Sequence, residues 1–190
     1  MTSILIGLVG LAFSGKDTVA AHLHRQHGFH RMAFADPLKE GLKTLFGLGD
    51  WNFTPENKES EIEWIGKSPR ELMQTLGTDW GRTLIDRQIW CRHMERRIKP
   101  KLSHGRPVVI SDLRFSDEHR LVHSHGGQIW KVIRPGAETT DHCDHLSEQE
   151  GRRIVADVEL INDGTLEQLF EQVDSAYERL LEEIDSRRMA

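Results

Sequence analysis

The residues best suited to chemistry lie close to the start of the chain, in a turn bounded by two glycines. The turn and its flank read Gly10-Leu11-Ala12-Phe13-Ser14-Gly15-Lys16-Asp17-Thr18. An apolar run at residues 4–9 precedes it and a helical pattern follows, an order typical of a phosphate-binding loop. The first turn of a helix presents N–H groups that lack a partner within the helix, and its dipole favours an anion. Gly10 and Gly15 allow backbone angles that let amides curl around a polyphosphate, and Lys16 adds a mobile positive charge.

The residue after Lys16 departs from the usual phosphate-loop pattern, in which a serine or threonine follows the lysine directly. Here Asp17 follows, and the hydroxyl comes one position later, at Thr18. In this respect the loop resembles that of nucleoside monophosphate kinases similar to adenylate kinase. We therefore assign the hydroxyl that faces Mg²⁺ to Thr18, with Asp17 as the alternative. The amides of residues 12–18 are expected to hold the β-phosphate.

The composition is that of an ordinary globular domain. The 190 residues are enough for one well-packed α/β domain, and 29% charged and 37% apolar residues are typical of that class. A net charge of -5 argues against a broad nucleic-acid surface. Cys91 and Cys143 are too few for a disulfide framework, and no apolar run approaches about 18 residues. We therefore expect a reducing compartment, the cytoplasm, and neither a nucleic-acid nor a membrane partner.

Apolar runs and helical patterns alternate along the chain. The predicted strands are residues 3–9, 29–34, 107–111, 128–133 and 158–161. After the helix that ends near residue 27, the predicted helices are 37–46, 69–77, 84–102, 115–124 and 166–187. A turn is predicted at 78–81, and a loop with at most a short helix at 56–63 is predicted for 47–67. This alternation predicts a three-layer α/β fold, a parallel five-stranded sheet with helices on both faces.

Ligands bind such sheets outside the carboxyl ends of the strands. The phosphate loop, Asp36 and the segment from Asp112 to Arg114 all fall at that edge of the predicted sheet. These residues are therefore the first candidates for a shared site.

Two helix starts carry recognisable caps. Asp36 is expected to cap the helix that Pro37 opens, since a carboxylate accepts from the first amides and proline suits the first helical position. Ser68 before Pro69, with Glu71 three residues after the serine, predicts a capping box.

Further motifs resemble the deoxynucleoside monophosphate kinases of tailed bacteriophages. They are Phe34-Ala35-Asp36-Pro37-Leu38-Lys39, Arg70-Glu71-Leu72-Met73-Gln74, Thr75-Leu76-Gly77-Thr78-Asp79, Asp86-Arg87-x-x-Trp90, Ser111-Asp112-Leu113-Arg114, Val132-Ile133-Arg134-Pro135-Gly136, His145-Leu146-Ser147-Glu148 and Ile161-Asn162-Asp163-Gly164-Thr165. Their order and spacing together are specific, and they cover most of the chain, thinning across residues 47–67.

The resemblance implies transfer of the γ-phosphate of ATP to a deoxynucleoside monophosphate (dNMP), giving the diphosphate. It also implies a single P-loop kinase domain over residues 1–190. In that domain an acceptor-binding helical segment covers about 36–103 and a lid about 134–153. For a chain encoded by a phage, the location is the cytoplasm of the host cell.

The resemblance also implies which residues bind ATP and Mg²⁺ and which stabilise the transition state. Lys16 bridges the β- and γ-phosphates of ATP, Thr18 ligates Mg²⁺, and Asp112 orients a water bound to the metal. A helix cap is the alternative for Asp112. Arg114 contacts the acceptor phosphate or the transferring group, or pairs with Asp117 or Glu118. The lid arginines, Arg134 with Arg152 and Arg153, are the other candidates for stabilising the transition state.

On the acceptor side, Arg70 and Gln74 lie one helical turn apart, which suits one residue on the phosphate and one on the base. The remaining candidates for binding the dNMP are Asp36, Lys39, Asp79, Trp90, Arg114 and His145. For Lys39 and Arg70 the alternative is a solvated surface charge, and for Asp79 it is a helix cap. Trp90 either stacks on a base or packs in the core, and Trp64, Trp80 and Trp130 are expected in the core.

Two other functions stay open at this stage. The first is another small kinase of the same fold, such as a dephospho-coenzyme A or phosphomevalonate kinase, and the second is a nucleotide-binding regulator without catalysis.

A zinc site at His142, Cys143 and His145 lacks a second pair of ligands. The preferred base and the choice between monomer and homodimer are not readable from the sequence.

Overall fold

Five parallel strands form the centre of the structure, a computed structural model that describes residues 4–136 and 155–189. The strands are β1 (Leu5–Val9), β2 (His30–Met32), β3 (Val108–Ile110), β4 (Gln128–Ile133) and β5 (Val158–Ile161). Their order across the sheet is β2-β3-β1-β4-β5, and every pairing is parallel. The predicted five-stranded parallel sheet is confirmed.

Helices follow the strands along the chain. The α-helices are α1 (Lys16–His27), α2 (Asp36–Phe46), α3 (Pro69–Gln74), α4 (Ile89–Ser103), α5 (Ser116–Ser124) and α6 (Leu166–Met189). A 3₁₀ helix covers Asp50–Phe53 and a π-helix covers Thr75–Ile85. In the part of the chain that the structure describes, no helix is both long and apolar enough to cross a bilayer.

β1 lies in the middle of the sheet because it pairs with β3 on one side and β4 on the other. Ile6 of β1 lies opposite Val109 of β3 and Gln128 of β4. The carboxyl ends of these three strands are therefore neighbours. The chain that leaves each of them begins at the same edge of the sheet.

The core lies on both faces of the sheet, because successive side chains of a strand point to opposite faces. On one face, buried side chains of the strands pack with α1 and α6. These are Ile6, Leu8, Val19, Leu23, Phe29, Val109, Trp130, Val132, Leu160, Leu169 and Val173. On the other face, a Cβ at Gly7 would lie 2.8 Å from Leu113, and one at Gly127 would lie 2.8 Å from Val122 of α5. This close packing gives the three layers.

The chain divides into two compact units. The first comprises Met1–Ala33 with Glu95–Ala190 and holds the sheet with α1, α5 and α6. The second, Phe34–Met94, holds α2, α3 and the 3₁₀ and π-helices. The phosphate-loop residues therefore belong to the first unit, and the second unit falls almost wholly within the predicted acceptor segment.

The turn predicted at 78–81 is wrong, since these residues lie inside the π-helix, where the N–H of Asp86 donates to the carbonyl of Gly81 at 3.0 Å. The glycines mark close packing and not a helix end. A Cβ at Gly77 would lie 3.0 Å from Leu38, and one at Gly81 would lie 2.6 Å from the Trp90 ring. Trp90 Nε1 also donates to the carbonyl of Gly77 at 2.7 Å. The absent side chains admit these neighbours, so the chain stays helical.

Three other boundaries differ from the prediction. α4 begins at Ile89 and not near residue 84, because Asp86 is extended between the two helices and its Oδ1 accepts from the N–H of Gln88 at 2.7 Å. The short helix in the 47–67 segment is the 3₁₀ helix at Asp50–Phe53, not 56–63. Asp36 does not cap α2, because Ala35 occupies the N-cap and Asp36 is the first residue of the helix.

The tryptophans divide between core and surface. Trp130 is fully buried, as expected, whereas Trp64 and Trp80 are 68% and 46% exposed, so their placement in the core is wrong. Trp64 lies in the turns between Ile62 and Lys67, which form an isolated antiparallel bridge, and such a short excursion offers little surface to bury a ring. Trp80 is on the exposed side of the π-helix.

Candidate functional site

The turn between β1 and α1 has the backbone of a loop that curls around a ligand. Gly10, Phe13 and Gly15 have φ angles of 154°, 61° and 106°. Glycine takes such angles without strain, whereas a phenylalanine pays about 1–3 kcal/mol for them. Gly15 is the N-cap of α1 in the left-handed region, so the first turn of α1 begins directly after the loop. The outward N–H groups of that turn and its dipole suit an anion.

Both glycines also lie where a side chain has no room. A Cβ at Gly10 would lie 2.4 Å from the backbone oxygen of Val132, near the end of β4, the strand beside β1. A Cβ at Gly15 would lie 2.6 Å from Nδ2 of Asn162. The loop is therefore packed against the carboxyl ends of β4 and β5.

Lys16 reaches back over the loop. Its Nζ donates to the carbonyl of Gly10 at 2.7 Å and to that of Leu11 at 2.6 Å, and the side chain is partly buried. The ammonium consequently lies at the carboxyl edge of β1, beside the amides at the start of α1. This places a cation where the terminal phosphates of a nucleotide bound in the loop would lie. The N–H of Ser14, one of the predicted phosphate-binding amides, instead donates to the carbonyl of Leu11 at 3.2 Å.

Asn162 also belongs to this site, although the sequence alone gives it no role beyond its place in the motif at 161–165. Its Nδ2 donates to the carbonyl of Ser14 at 2.8 Å, across 148 positions of sequence. Gln172 of α6 fixes the preceding residue, because its side-chain amide donates to the carbonyl of Ile161 at 2.9 Å and accepts from the N–H of the same residue at 2.9 Å. The signals in the sequence are an amide residue directly after the last strand and its place in the motif at 161–165.

Thr18 and Asp17 differ sharply in their surroundings. The Asp17 side chain is 87% exposed and faces Arg31, with Oδ1 3.5 Å from Nη2. Thr18 is half-buried in the first turn of α1, and Asp112 is half-buried after β3, the strand beside β1. A hydroxyl and a carboxylate are oxygen donors of the hard type that Mg²⁺ prefers, so the donor set fits that ion.

Arg114 follows Asp112 and is exposed, while its backbone is fixed by a buried carboxylate. Oε2 of Glu118, only 3% exposed, accepts from the N–H of Arg114 at 2.8 Å and from that of Phe115 at 3.2 Å. Glu118 therefore shapes the turn before α5. Arg134, directly after β4, is exposed as well.

In the second unit, Arg70 and Gln74 both lie on α3, as predicted. The helix starts with the predicted capping box, in which Ser68 Oγ accepts from the N–H of Glu71 at 3.3 Å and Glu71 Oε2 accepts from the N–H of Ser68 at 2.9 Å. The side chain of Arg70 is 18% exposed, and its Nε lies 2.8 Å from Oε1 of Glu59. The guanidinium is therefore held in place by an acidic residue of the 47–67 segment.

Lys39 and Asp36 lie on α2, whose exposed side carries a small charge cluster. Lys43 pairs with Asp50 and, at 2.7 Å, with Glu40. The hydrogen bond from Lys43 lowers the pKa of Asp50, and the one to Asp50 raises the pKa of Lys43. This cluster joins α2 to the start of the 3₁₀ helix.

The remaining predicted residues do not share one environment. Asp79 is exposed in the π-helix. Trp90 is half-buried against Gly81 and bonded to Gly77, an arrangement that favours the packing interpretation over base stacking. His145 and most of the predicted lid, including Arg152 and Arg153, lie outside the described residues.

Comparison with known proteins gives concordant results. The sequence model of the deoxynucleotide monophosphate kinase family matches residues 53–173. A protein of Acanthamoeba polyphaga mimivirus, described provisionally as a deoxynucleotide monophosphate kinase, is 38% identical over 186 residues, covering 90% of this chain and 95% of its own. The deoxynucleotide monophosphate kinase of Enterobacteria phage T4 is 29% identical over 147 residues, covering 71% of this chain and 59% of its own.

Among solved structures, the APS kinase CysC of Mycobacterium tuberculosis in complex with AMPPNP and APS has a TM-score of 0.50 at 15% identity, covering 94% of this chain and 98% of its own. At that identity the likeness establishes the fold alone. The family model, in contrast, spans more than half of the chain, and the mimivirus relative matches nearly all of it. The chain therefore belongs to the deoxynucleotide monophosphate kinase family.

Proposed function

We propose that this chain transfers the γ-phosphoryl group of ATP to a deoxynucleoside monophosphate, giving ADP and the diphosphate. Membership of the family supplies the reaction class. The observation that carries the donor half is the position of the Lys16 ammonium, which lies on the carbonyls of Gly10 and Leu11 at the carboxyl edge of β1.

The reaction demands positioning and charge neutralisation more than covalent help. An oxygen of the acceptor phosphate attacks the γ-phosphorus, and the bond to the β–γ bridging oxygen breaks, leaving on ADP. Negative charge spreads over the transferred group and the leaving oxygen during this step. The amides at the start of α1 hold the β-phosphate, and Lys16 offsets charge between the β- and γ-phosphates.

Thr18 and Asp112 are the residues that would hold Mg²⁺, the first through its hydroxyl and the second through a water. When bound, the ion neutralises charge on the β- and γ-phosphates of the donor. The exposure of Asp17 and its pairing with Arg31 support Thr18 as the residue that supplies the hydroxyl.

The acceptor is assigned to the second unit, through Arg70 and Gln74 on α3. Arg70 is a planar, bidentate donor, which suits a phosphate, and exchanging Glu59 for that phosphate keeps its charge paired. Gln74 can both donate to and accept from a base edge, which suits loose selectivity among bases. Asp36, Lys39 and Asp79 remain further candidates on the same unit. His145 is a further candidate to bind the dNMP.

Arg114 and Arg134 are the described arginines assigned to the transferring group. Each follows a strand that pairs with β1, so each starts at the edge where the phosphate loop begins. The buried Glu118 holds the backbone of Arg114, whose side chain is exposed.

Phosphoryl transfer measured across all four dNMPs tests the proposal, with dephospho-coenzyme A and phosphomevalonate as competing acceptors. We expect turnover with at least one dNMP and none with the other two compounds. Lys16→Ala should lower kcat by about 10²–10³-fold, because one charge-stabilising donor is removed. Lys99→Ala, which deletes an exposed lysine that pairs with Glu95 at 2.9 Å, should leave kcat unchanged. A folded protein that binds ATP and phosphorylates no dNMP would instead support the regulator.

A further inference from the structure

Two histidines of α1 and one aspartate of α6 converge on one point in the first unit. The Nε2 atoms of His22 and His27 each lie 2.7 Å from Oδ1 of Asp174. One ligand atom from each of the three residues lies within 4.8 Å of the other two. We name these three residues the His–Asp–His cluster.

The rings of the cluster are held by neighbours that lie on α6. The His22 ring is stacked on Phe170, with centroids 4.1 Å apart and planes 9° apart, and the His27 ring lies 4.3 Å from that of Tyr177. Phe170, Asp174 and Tyr177 are spaced by four and three residues, so they share one face of α6. The carboxylate is therefore flanked by two aromatic rings that orient the two imidazoles.

Burial, charge and location all separate this cluster from the phosphate loop. His22 is only 6% exposed. Burial alone would raise the pKa of Asp174, but hydrogen bonds from His27 and His22 hold it below the ordinary value, so the carboxylate is an anion at neutral pH. His22 lies six residues after Lys16 on α1, about 9 Å along the helix axis. None of the three residues has a role in the proposed phosphoryl transfer.

We propose that the His–Asp–His cluster binds a divalent transition-metal ion, with Zn²⁺ the best match to two imidazole nitrogens and one carboxylate oxygen. Zinc takes nitrogen at about 2.0–2.1 Å and carboxylate oxygen at about 2.0–2.2 Å, which sets tetrahedral ligands about 3.3 Å apart. The present separations, from 2.7 Å up to 4.8 Å, bracket that value. Side-chain shifts of about 1 Å or less convert one arrangement to the other.

The ion takes the place of the two hydrogen bonds to Asp174. Each Nε2 then presents a lone pair, with the ring proton held on Nδ1 or released to solvent. Mg²⁺ is excluded by the same chemistry, since it prefers oxygen ligands and octahedral geometry. The bound ion joins α1, which starts at the phosphate loop, to α6, so it stabilises the first unit in proportion to its occupancy.

Zinc titration of the purified full-length chain, followed by calorimetry and by the side-chain ¹⁵N resonances of histidine, tests this site. We expect one equivalent of Zn²⁺ to shift the Nε2 resonances of His22 and His27 and to raise the thermal midpoint, and Mg²⁺ to do neither. His27→Gln and Asp174→Asn should each weaken this binding about tenfold or more, because each removes one ligand while keeping a similar shape.

Two controls separate this cluster from other histidines and cysteines. His104→Gln removes an exposed histidine that contacts Pro100 and Ser103, and it should leave the zinc affinity unchanged. Cys143→Ser combined with His145→Gln should also leave it unchanged. Circular dichroism identifies a variant that has not folded. In that case the test rests on whether Zn²⁺ shifts the Nε2 resonances of His22 and His27 in the wild-type protein. The proposal is overturned if Zn²⁺ leaves the His22 and His27 resonances in place, or if folded His27→Gln binds as tightly as wild type.

Discussion

Asn162 holds the phosphate loop through one donated hydrogen bond, and Gln172 of α6 holds the backbone of the residue before it. We predict that Asn162→Ala raises the KM for ATP by up to about tenfold, since one hydrogen bond contributes about 0.5–1.5 kcal/mol. Asn162→Asp should have at least as large an effect, because its carboxylate has the same shape but faces the carbonyl of Ser14 without a donor. Steady-state kinetics with varied ATP measures both.

Asp163→Ala is the matched control, because Asp163 is the exposed next residue of the same turn. Its KM for ATP should equal that of wild type. An Asn162→Ala enzyme with wild-type KM would mean that the loop keeps its shape without this bond.

Alanine variants of Gly10 and Gly28 distinguish the cost of a left-handed backbone from the cost of a steric clash. Both have positive φ, 154° and 71°, but a Cβ at Gly28 meets nothing within 4 Å while one at Gly10 meets the Val132 oxygen at 2.4 Å. We predict that Gly28→Ala lowers the free energy of unfolding by about 1–2 kcal/mol, the cost of a left-handed alanine. Gly10→Ala should lower it by about 3 kcal/mol or more and abolish ATP binding, because the strand or the loop must move.

Chemical denaturation measures the free energy of unfolding of both variants, and calorimetry measures their binding of ATP. Equal losses of stability in the two variants would show that the contact with β4 relaxes freely. In that case the role of Gly10 would be conformational freedom alone.

At the scale of elements, the capping box of α3 supports the helix that carries Arg70 and Gln74. Hydrogen bonds from the backbone N–H of Ser68, and then from Lys67, lower the pKa of Glu71 from its ordinary value of 4.5. A lowered pKa in the folded state means that the stabilisation is fully present above pH 4.5. It is then lost as the pH falls through the folded-state pKa.

We therefore predict that Glu71→Gln flattens the acid limb of the unfolding free energy below about pH 4.5, because the group that titrates is removed. Ser68→Ala should cost about 0.5–2 kcal/mol at neutral pH, the usual value of an N-cap. Denaturation at a series of pH values gives both results. Glu63→Gln, at an exposed glutamate nearby in the sequence, serves as the control and should keep the wild-type acid limb.

The elements also show where local sequence determines structure and where it does not. The five strands and the capping box at Ser68 were predictable, because apolar runs and cap residues act within a few positions. The π-helix was not, because Gly77 and Gly81 read as helix breakers until Leu38 and Trp90 are seen to pack against them. Tertiary contact overrides local preference there.

The candidate site likewise contains residues that local sequence identifies and residues that it does not. Glycine spacing and Lys16 identify the loop, whereas Asn162 reaches it across 148 positions, and the motif at 161–165 does not indicate that contact. The Arg70–Glu59 contact was equally hidden, because the 47–67 segment has no regular period to place its acidic residues.

At the scale of the whole molecule, the two substrates are assigned to different units. Gly10 to Thr18 belong to the unit that holds the sheet, and Arg70 and Gln74 belong to Phe34–Met94. Under this assignment, each ligand alone orders a different set of backbone amides. Hydrogen exchange reports such local stabilisation segment by segment, since bound ligand suppresses local opening.

We predict that a non-hydrolysable ATP analogue slows exchange in residues 10–18 and 160–164, and that a dNMP alone slows it in the segment around α3. Lys16→Ala should lose the first protection and keep the second, because its ammonium contacts only the donor. Arg70→Gln should do the reverse, since it removes the charge that binds the acceptor phosphate and keeps a polar side chain beside Glu59. Protection of the phosphate loop by a dNMP alone, or loss of both effects in Arg70→Gln, would place the acceptor in the first unit and contradict the division.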